Sequence, residues 1–283
     1  MKFIVPAELN PQNQWQIELM IQGFKLIGLE ESLVVCLATD DPNSFIPEMT
    51  KNLSTHRNIM LVPNTGARRG FEPLNRLYGV RSALLDGRLG DTFFVLEPDM
   101  VPCRIPSTSE ITPNCSYQFD PNFFLEVINV NTPTKRHFGL EPAEVRNDQW
   151  ACAGPLMCFS GFPPEFFDEL IFESEQYVYR QFYDSGGAWD RSVQSATNYV
   201  MHKHLGSFSA IASYDLECNL MSDKLATFIH YETGFPPLFT KSMFAYKPPH
   251  YFSLGNPFRT LSQYAPTPPF QYLSQLATQY LRS

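Results

Sequence analysis

Two carboxylates, separated by a single proline, directly follow an apolar segment of the chain. The segment 92–96 has the sequence TFFVL, and Glu97, Pro98 and Asp99 come next. An apolar run rich in aromatic and β-branched residues predicts a buried strand, and open α/β sheets bind ligands beyond the carboxyl ends of such strands. Mg²⁺ and Mn²⁺ are commonly held by one or two carboxylates while substrate phosphates and water complete the coordination shell. Glu97 and Asp99 therefore predict a site for a metal ion and a diphosphate.

The elements that position this site alternate between strands and helices. Apolar runs predict the strands, and apolar residues at helical spacing predict the helices, in the order strand 2–5, helix 15–29, strand 33–38, strand 58–62, helix 73–89 and strand 92–96. This β-α-β-β-α-β order is typical of a nucleotide-binding sheet with right-handed crossovers. The predicted fold class is α/β, with a Rossmann-like sheet flanked by helices.

The second half of the chain has shorter apolar segments that prolines interrupt. Strands are predicted at 123–128, 155–159 and 225–231, and helices at 164–182 and 189–204. Further on, three Pro-Pro pairs indicate a tail that wraps over the surface. We predict one domain followed by this tail, with the boundaries 1–246 for the domain, 1–102 for its nucleotide-binding half, 103–246 for a mixed acceptor half and 247–283 for the Pro-rich tail.

Composition and charge argue against several classes of protein. The net charge of -8 does not suit a surface that coats nucleic acid, because such affinity comes from Lys and Arg neutralising phosphates. No apolar run approaches the roughly 18 residues of a membrane span, and the short apolar start at 2–7 does not fit a secretory signal. Six cysteines without a C-x-x-C pair argue against a zinc site or a disulfide framework. We expect a cytoplasmic protein without a membrane span.

Three motifs stand in a fixed order along the chain. They are Asn75-Arg76, the EPDMV segment 97–101 and the FIHYETG segment 228–234. Together they resemble the GT-A type of glycosyltransferase, and most closely the plant peptidyl hydroxyproline O-arabinosyltransferases, which carry an N-R-x-x-(x)n-E-P-D-x-(I/V) pattern and a late I-I-H-Y-x-x-G. The resemblance implies a GT-A-like fold, a UDP-sugar as donor and a divalent metal.

The resemblance also implies the metal ligands. Asp99 is the first choice, and Glu97 points to the same face if the chain stays extended through Pro98. His230 is implied as a late ligand from a distant strand. Because neutral imidazole binds Mn²⁺ adequately and Mg²⁺ poorly, Mn²⁺ is the expected metal and Mg²⁺ the alternative.

Other residues are expected to bind the nucleotide part of the donor. Arg76 stands at the start of a predicted helix, where free backbone N–H groups and the helix dipole favour a diphosphate. The end of the first strand is where a base or ribose is bound in such folds. The residues expected to contact the donor are Pro6, Ala7, Glu8, Asn75, Arg76 and Lys241.

A carboxylate is also expected beside the reacting sugar. The family's W-x-x-E-M step reads WDRS at 189–192, which moves or removes the family's carboxylate. Asp190 is the first candidate for acid–base work, and Asp148 and Glu217 are its rivals. The sequence leaves open which of them acts, and whether the configuration of the sugar is retained or inverted.

The first functional hypothesis is a metal-dependent glycosyltransferase that moves a sugar, with arabinose suggested by the resemblance, from a UDP-sugar to a hydroxyl acceptor. The acceptor stays open between a peptide, a glycan, a lipid and a hydroxymethylated DNA base of the kind that phage enzymes modify. A sugar nucleotidyltransferase uses a similar sheet but usually opens with a Gly-rich loop, and segment 6–14 contains no glycine. A non-catalytic sugar-binding protein of the same fold is the third hypothesis, because the step at 189–192 is altered.

Overall fold

The computed structural model describes residues 1–41, 43, 51–118, 156–184, 192–205, 210–212, 215–220, 222–231 and 267–282. The strand predicted at 123–128 and the tail residues 247–266 lie outside these residues. Along the described chain the elements follow in the order β1 (Lys2–Glu8), α1 (Pro11–Leu26), β2 (Leu33–Ala38), β3 (Ile59–Val62), α2 (Thr65–Arg68), α3 (Leu74–Leu85), β4 (Thr92–Val95), β5 (Met100–Pro102), β6 (Cys115–Gln118), β7 (Leu156–Ser160), α4 (Pro164–Asp184), α5 (Ser192–Leu205), β8 (Ala210–Ala212), β9 (Glu217–Asn219), β10 (Phe228–His230) and α6 (Pro268–Arg282).

Seven strands form the large sheet, in the order β3-β2-β1-β4-β7-β6-β8. β1 is an interior strand and pairs in parallel with β2 and β4, so that Ile4 lies between Val34 and Val95. β7 runs antiparallel to both β4 and β6, whereas β8 is parallel to β6. The parallel half is the predicted nucleotide-binding sheet, and β7 adds an antiparallel neighbour on the side of β4.

Three short strands form a second sheet, in the order β5-β10-β9. β5 follows β4 in the chain after only four residues, so the backbone passes directly from the large sheet into the small one. β10 pairs antiparallel with β5 and parallel with β9, which places His230 opposite Met100 on one side and Asn219 on the other. The strand predicted at 225–231 is therefore present, but only three of its residues belong to the sheet.

The large sheet is buried on both faces. β2 has six consecutive buried residues and β1 has five, which is the pattern of parallel strands covered by helices on each side. On one face Ile4 packs with residues of α3 and α4, and on the other face Phe3 packs with residues of α1. Because both faces are covered, the open edge for a ligand is at the carboxyl ends of the parallel strands.

The first helix begins earlier than the apolar spacing predicts. The side chain of Asn10 accepts a hydrogen bond from the backbone N–H of Asn13 at 2.8 Å, and Pro11 occupies the first helical position. An Asn cap followed by proline is a strong start signal, and it lies just before the apolar spacing begins. The helix ends at Leu26, and Gly28 takes a φ of 72° two residues later, a conformation that favours glycine.

A close approach of α3 to the sheet depends on Gly79. A Cβ atom at this position would lie 3.0 Å from Cβ of Pro6 and 3.1 Å from Sγ of Cys36. Glycine thus allows the helix to lie directly on β1 and β2. As a result, the first turn of α3 stands beside the carboxyl end of β1.

The Pro-rich tail ends in a helix that the sequence analysis did not predict. Pro268 is the first residue of α6, where its missing N–H is no loss, and the buried residues recur at helical spacing. Phe270, Leu273 and Leu276 are almost fully buried and join a cluster with Trp15 of α1. The Pro-Pro pair at 268 belongs to the tail that the sequence predicts to wrap over the surface, and at this place it starts a helix that covers the small sheet.

Candidate metal and nucleotide site

The predicted carboxylates lie on the link between the two sheets. Backbone N–H of Leu96 still donates to the carbonyl of Ile4 in β1 at 2.9 Å, so the chain leaves the large sheet only after this residue. The N–H of Met100 then donates to the carbonyl of Glu97 at 3.1 Å and closes a turn before β5 begins. Glu97 and Asp99 are therefore fixed by both sheets at once.

The structure brings Glu97, Asp99 and His230 together. One possible ligand atom from each residue lies within 4.8 Å of the other two. Nε2 of His230 is 3.5 Å from Oδ1 of Asp99 and 3.8 Å from Oε2 of Glu97. The N–H of Tyr231 donates to the backbone carbonyl of Asp99 at 3.1 Å, which holds the end of β10 against the turn.

The chemistry of this group fits a divalent cation. Nε2 of His230 is buried, and the two carboxylate oxygens that face it are farther away than in a normal hydrogen bond. Asp99 is only 2% exposed and His230 only 4%. A buried carboxylate charge needs a positive counter-charge. A metal ion bound by two carboxylates and one imidazole satisfies all three groups.

A third carboxylate stands on the far side of the imidazole. Nδ1 of His230 is 3.1 Å from Oε1 of Glu217, a fully buried residue of β9. Burial disfavours the imidazolium, but the charges of Asp99 and Glu217 outweigh burial, so the pKa of His230 lies well above its usual value. Because a ligand imidazole must be neutral, His230 gives up this proton when it binds a metal.

Arg76 contacts the same group from α3. Its Nη1 donates to Oε1 of Glu97 at 2.8 Å, while the other oxygen of Glu97 faces His230. Arg76 lies in the first turn of α3, and the sequence analysis predicted it at the start of a helix. Glu97 thus lies between Arg76, which the sequence predicts to bind a diphosphate, and His230, a predicted metal ligand.

A cavity of 260 Å³ opens beside Glu97. Its wall contains all the described residues that the sequence assigned to donor binding, namely Pro6, Ala7, Glu8, Asn75 and Arg76. The wall also contains Asn13, Glu72 and Val193, which sequence reasoning missed. Asn13 lies in the first turn of α1, so its place shortly after the end of β1 was the available signal. Neither Glu72 nor Val193 belongs to a recognisable motif.

Asn75 lines the cavity but its side chain is engaged within the protein. Its Oδ1 accepts the N–H of Gly66 at 2.8 Å, and its Nδ2 donates to Oε1 of Glu8 at 3.1 Å and to Oδ1 of Asn64 at 2.6 Å. A Cβ on Gly66 would lie only 2.9 Å from Oδ1 of Asn75, so glycine permits this contact. In this arrangement Asn75 orients Glu8 towards the cavity.

Glu8 is the titratable group at the end of β1. Burial raises the pKa of its carboxyl, the hydrogen bond from Asn75 lowers it, and the nearby charge of Glu72 raises it again. The overall direction is upward from the usual value. Two neighbouring carboxyl groups that share a concave wall are well placed to accept hydrogen bonds from hydroxyl or N–H groups of a ligand.

Three of the predicted site residues lie outside the described residues: Asp148, Asp190 and Lys241. The remaining nine are divided between the cavity and the cluster behind it. Glu97 belongs to both.

Comparisons with known proteins find similarity at the level of structure. No known family profile matches the sequence, and no curated protein matches it. Among solved structures, the galactosyltransferase LgtC, determined in complex with donor and acceptor sugar analogues, matches with a TM-score of 0.52 and 12% sequence identity. The match covers 98% of this chain and 95% of LgtC. The narrower resemblance to arabinosyltransferases therefore rests only on the motifs quoted above.

The described helices contain none that is long and apolar enough to cross a membrane. The order of strands around β1, the site at their carboxyl ends and the match to LgtC agree with one another. They confirm the predicted α/β class, and the chain has the GT-A fold.

Proposed function

We propose that the protein is a metal-dependent glycosyltransferase that transfers a sugar from a nucleoside diphosphate sugar to a hydroxyl acceptor. One observation carries the proposal: Glu97 lies in the wall of the cavity and also in the cluster with Asp99 and His230. A site for a divalent cation thus adjoins a cavity at the carboxyl end of β1. This combination suits a ligand that has a nucleoside at one end and a diphosphate at the other.

The residues of the cluster have distinct tasks in this proposal. A divalent cation held there stabilises the negative charge that develops on the leaving nucleoside diphosphate. Asp99 and Glu97 offer oxygen ligands, and His230 offers Nε2, which favours Mn²⁺ over Mg²⁺. Arg76 provides a positive charge on the cavity side of Glu97, where it pairs with a phosphate oxygen.

The cavity takes the nucleoside part of the donor. Its volume of 260 Å³ is just below the range of about 300–1,000 Å³ typical of pockets for whole ligands. Glu8, oriented by Asn75, accepts hydrogen bonds from ribose hydroxyls or from a base N–H. Uridine is the expected nucleoside, in line with the resemblance of the motifs to enzymes that use UDP-sugars.

LgtC was determined with an acceptor sugar analogue, so a saccharide hydroxyl is the first acceptor class to test. Arabinose remains the sugar that the motifs suggest. Asp190 and Asp148 remain the proposed acid–base residues, whereas Glu217 is fully buried and contacts His230.

A donor-turnover assay tests the proposal. Release of nucleoside diphosphate from UDP-, GDP- and CDP-sugars is measured with Mn²⁺, with and without saccharide acceptors, for the wild type and for Asp99→Asn. Asp223→Asn is the matched control. It makes the same chemical change as Asp99→Asn, but at an exposed residue that does not belong to the cluster. We expect Mn²⁺-dependent release of UDP by the wild type and the control, and its loss in Asp99→Asn.

A pyrophosphate-release assay and a binding assay on the same protein separate the competing functions. Release of pyrophosphate from a sugar phosphate and a nucleoside triphosphate identifies a nucleotidyltransferase. Binding of a UDP-sugar without turnover under any condition identifies a sugar-binding protein. Either outcome contradicts the proposed transferase.

A further inference from the structure

Glu217 is a charged residue with no exposed surface in the described structure. It lies at the start of β9 with 0% exposure, and its Oε1 is 3.1 Å from Nδ1 of His230. It is absent from the cavity wall. A carboxylate that serves as acid or base must reach the reacting group, directly or through one water, and Glu217 has the imidazole between itself and the other two carboxylates.

The backbone holds Glu217 and His230 in one rigid unit. β9 and β10 pair in parallel, with Phe228 opposite Glu217. The N–H of Phe228 donates to the carbonyl of Leu216 at 2.9 Å, and the N–H of Thr227 donates to the carbonyl of Asp215 at 2.8 Å. These bonds fix the distance between the two side chains, because both project from paired strands.

We infer that Glu217 is a positioning residue that selects the tautomer and ring orientation of His230 for metal binding. The inference rests on the proposed function, since it assigns a role within the same site. A neutral imidazole carries one N–H, and a carboxylate at Nδ1 keeps that proton there. The lone pair is then on Nε2, the atom that faces Glu97 and Asp99. Metal-bound histidines commonly depend on such a partner for their orientation.

The charges around the imidazole support the same role. Glu97, Asp99 and Glu217 all lie within 4 Å of a ring nitrogen of His230. Arg76 pairs with Glu97 and so compensates one of the three carboxylates. A divalent cation matches the two that remain. Glu217 therefore contributes charge to the metal site without contacting the ion.

Binding of Mn²⁺ alone tests this role. The free Mn²⁺ signal in electron paramagnetic resonance gives the dissociation constant for the wild type, Glu217→Met and Glu217→Gln, with no donor or acceptor present. We expect Glu217→Met to weaken Mn²⁺ binding about 10–100-fold, the usual cost of losing such a partner. We expect a smaller loss in Glu217→Gln, because its amide oxygen still accepts the hydrogen bond from Nδ1. Glu18→Gln is the control, since Glu18 is equally buried but lies on α1.

A double-mutant cycle with His230→Ala shows whether Glu217 acts through the imidazole. In the His230→Ala background, Glu217→Met should cause no further loss of Mn²⁺ affinity, because the two residues act as a unit. Should Glu217→Met fail to fold, as judged by circular dichroism, the Glu217→Gln variant carries the same cycle.

Three results overturn the inference. One is an unchanged Mn²⁺ dissociation constant in Glu217→Met together with lost transfer, which assigns Glu217 to acid–base work. Another is a loss in the His230→Ala background as large as in the wild type. The last is a wild type that binds no Mn²⁺. A protein that binds Mn²⁺ as expected but transfers no sugar contradicts the proposed function and leaves the positioning role intact.

Discussion

The two sheets differ in what their strands bury. β1 and β2 of the large sheet contribute long runs of buried apolar residues, whereas β9 and β10 of the small sheet have three residues each and bury Glu217 and His230. Burial of apolar surface stabilises a fold, while burial of charge costs free energy unless partners compensate it. The large sheet thus stabilises the fold, and this stability offsets the cost of burying charged groups in the small sheet.

The segment that joins the two sheets carries two of the proposed metal ligands. Glu97 follows the last strand of the parallel half, and Asp99 precedes the first strand of the small sheet. His230 reaches the same point from the end of β10. The proposed metal therefore binds where the two sheets meet. Substitutions in the large sheet should therefore change stability, and substitutions where the sheets meet should change metal affinity.

The largest effect on stability is expected in the large sheet. Phe94 is fully buried and its ring lies 5.6 Å from that of Phe3 and 6.1 Å from that of Tyr117. We expect Phe94→Ala to lower the free energy of unfolding by about 3–5 kcal/mol, because it leaves a cavity in the core. Urea unfolding followed by circular dichroism measures this. The control Phe172→Ala, at a side chain 57% exposed, should change it by less than about 0.5 kcal/mol.

A change in α6 should affect both stability and the site. Leu273 is fully buried in the cluster that joins α6, α1 and the small sheet. We expect Leu273→Ala to destabilise the protein by about 2–5 kcal/mol and also to weaken Mn²⁺ binding, because the small sheet depends on this helix. Gln275→Ala, at an exposed position of the same helix, is the control. If Leu273→Ala destabilises the protein but binds Mn²⁺ like the wild type, the small sheet does not depend on α6.

Substitution of a proposed metal ligand should weaken metal binding with little effect on stability. Asp99→Asn removes one of the two carboxylates that face Nε2 of His230. We expect it to weaken Mn²⁺ binding by at least about 100-fold, the upper end of the effect of partners that do not touch the metal. The metal-free protein should unfold near the wild-type temperature, because loss of the Asp99 charge removes an attraction to the imidazolium of His230 and also a repulsion from the nearby carboxylates Glu97 and Glu217. Calorimetric titration and thermal unfolding measure the two properties. A marked loss of metal-free stability would show that Asp99 is chiefly a structural residue.

The smallest effect concerns the ion pairs between α4 and α5. Burial would raise the pKa of Glu169, but Lys203 and His204 outweigh it and hold that pKa below its usual value. A carboxyl with a lowered pKa contributes stability above its unfolded pKa and loses it as the pH falls towards the folded one. We expect Glu169→Gln to cost less than about 1 kcal/mol at neutral pH. This cost should fade as the pH falls from about 4.3, the ordinary pKa of Glu, towards the lowered pKa of the folded protein, as thermal unfolding across pH can show.

The sequence predicts the large sheet well because its signals are local. The strand predicted at 33–38 is observed with the same boundaries, and the helix predicted at 164–182 extends only two residues further. A continuous apolar run needs no long-range information to be recognised as a buried strand. The carboxylates after such a run could be assigned to a site for the same reason, and the structure places both beside His230.

The small sheet could not be predicted in the same way. Strands of three residues are too short for any periodicity, and the contact between Glu217 and His230 depends on the register of β9 with β10. The hydrogen bonds of Asn75 to Gly66 and Glu8 likewise depend on how α3 lies on the sheet. A motif shows that such residues belong to a site, but their individual roles follow only from the packing around them.

The position of a bound metal is the most direct test of this account. A crystal grown with Mn²⁺ and UDP can be measured near the manganese absorption edge, where anomalous scattering locates the ion. We predict one strong peak between Glu97, Asp99 and His230, next to the diphosphate. A peak elsewhere, or no peak at this cluster with Mn²⁺ in excess, would contradict the claim that the junction of the two sheets is the catalytic metal site.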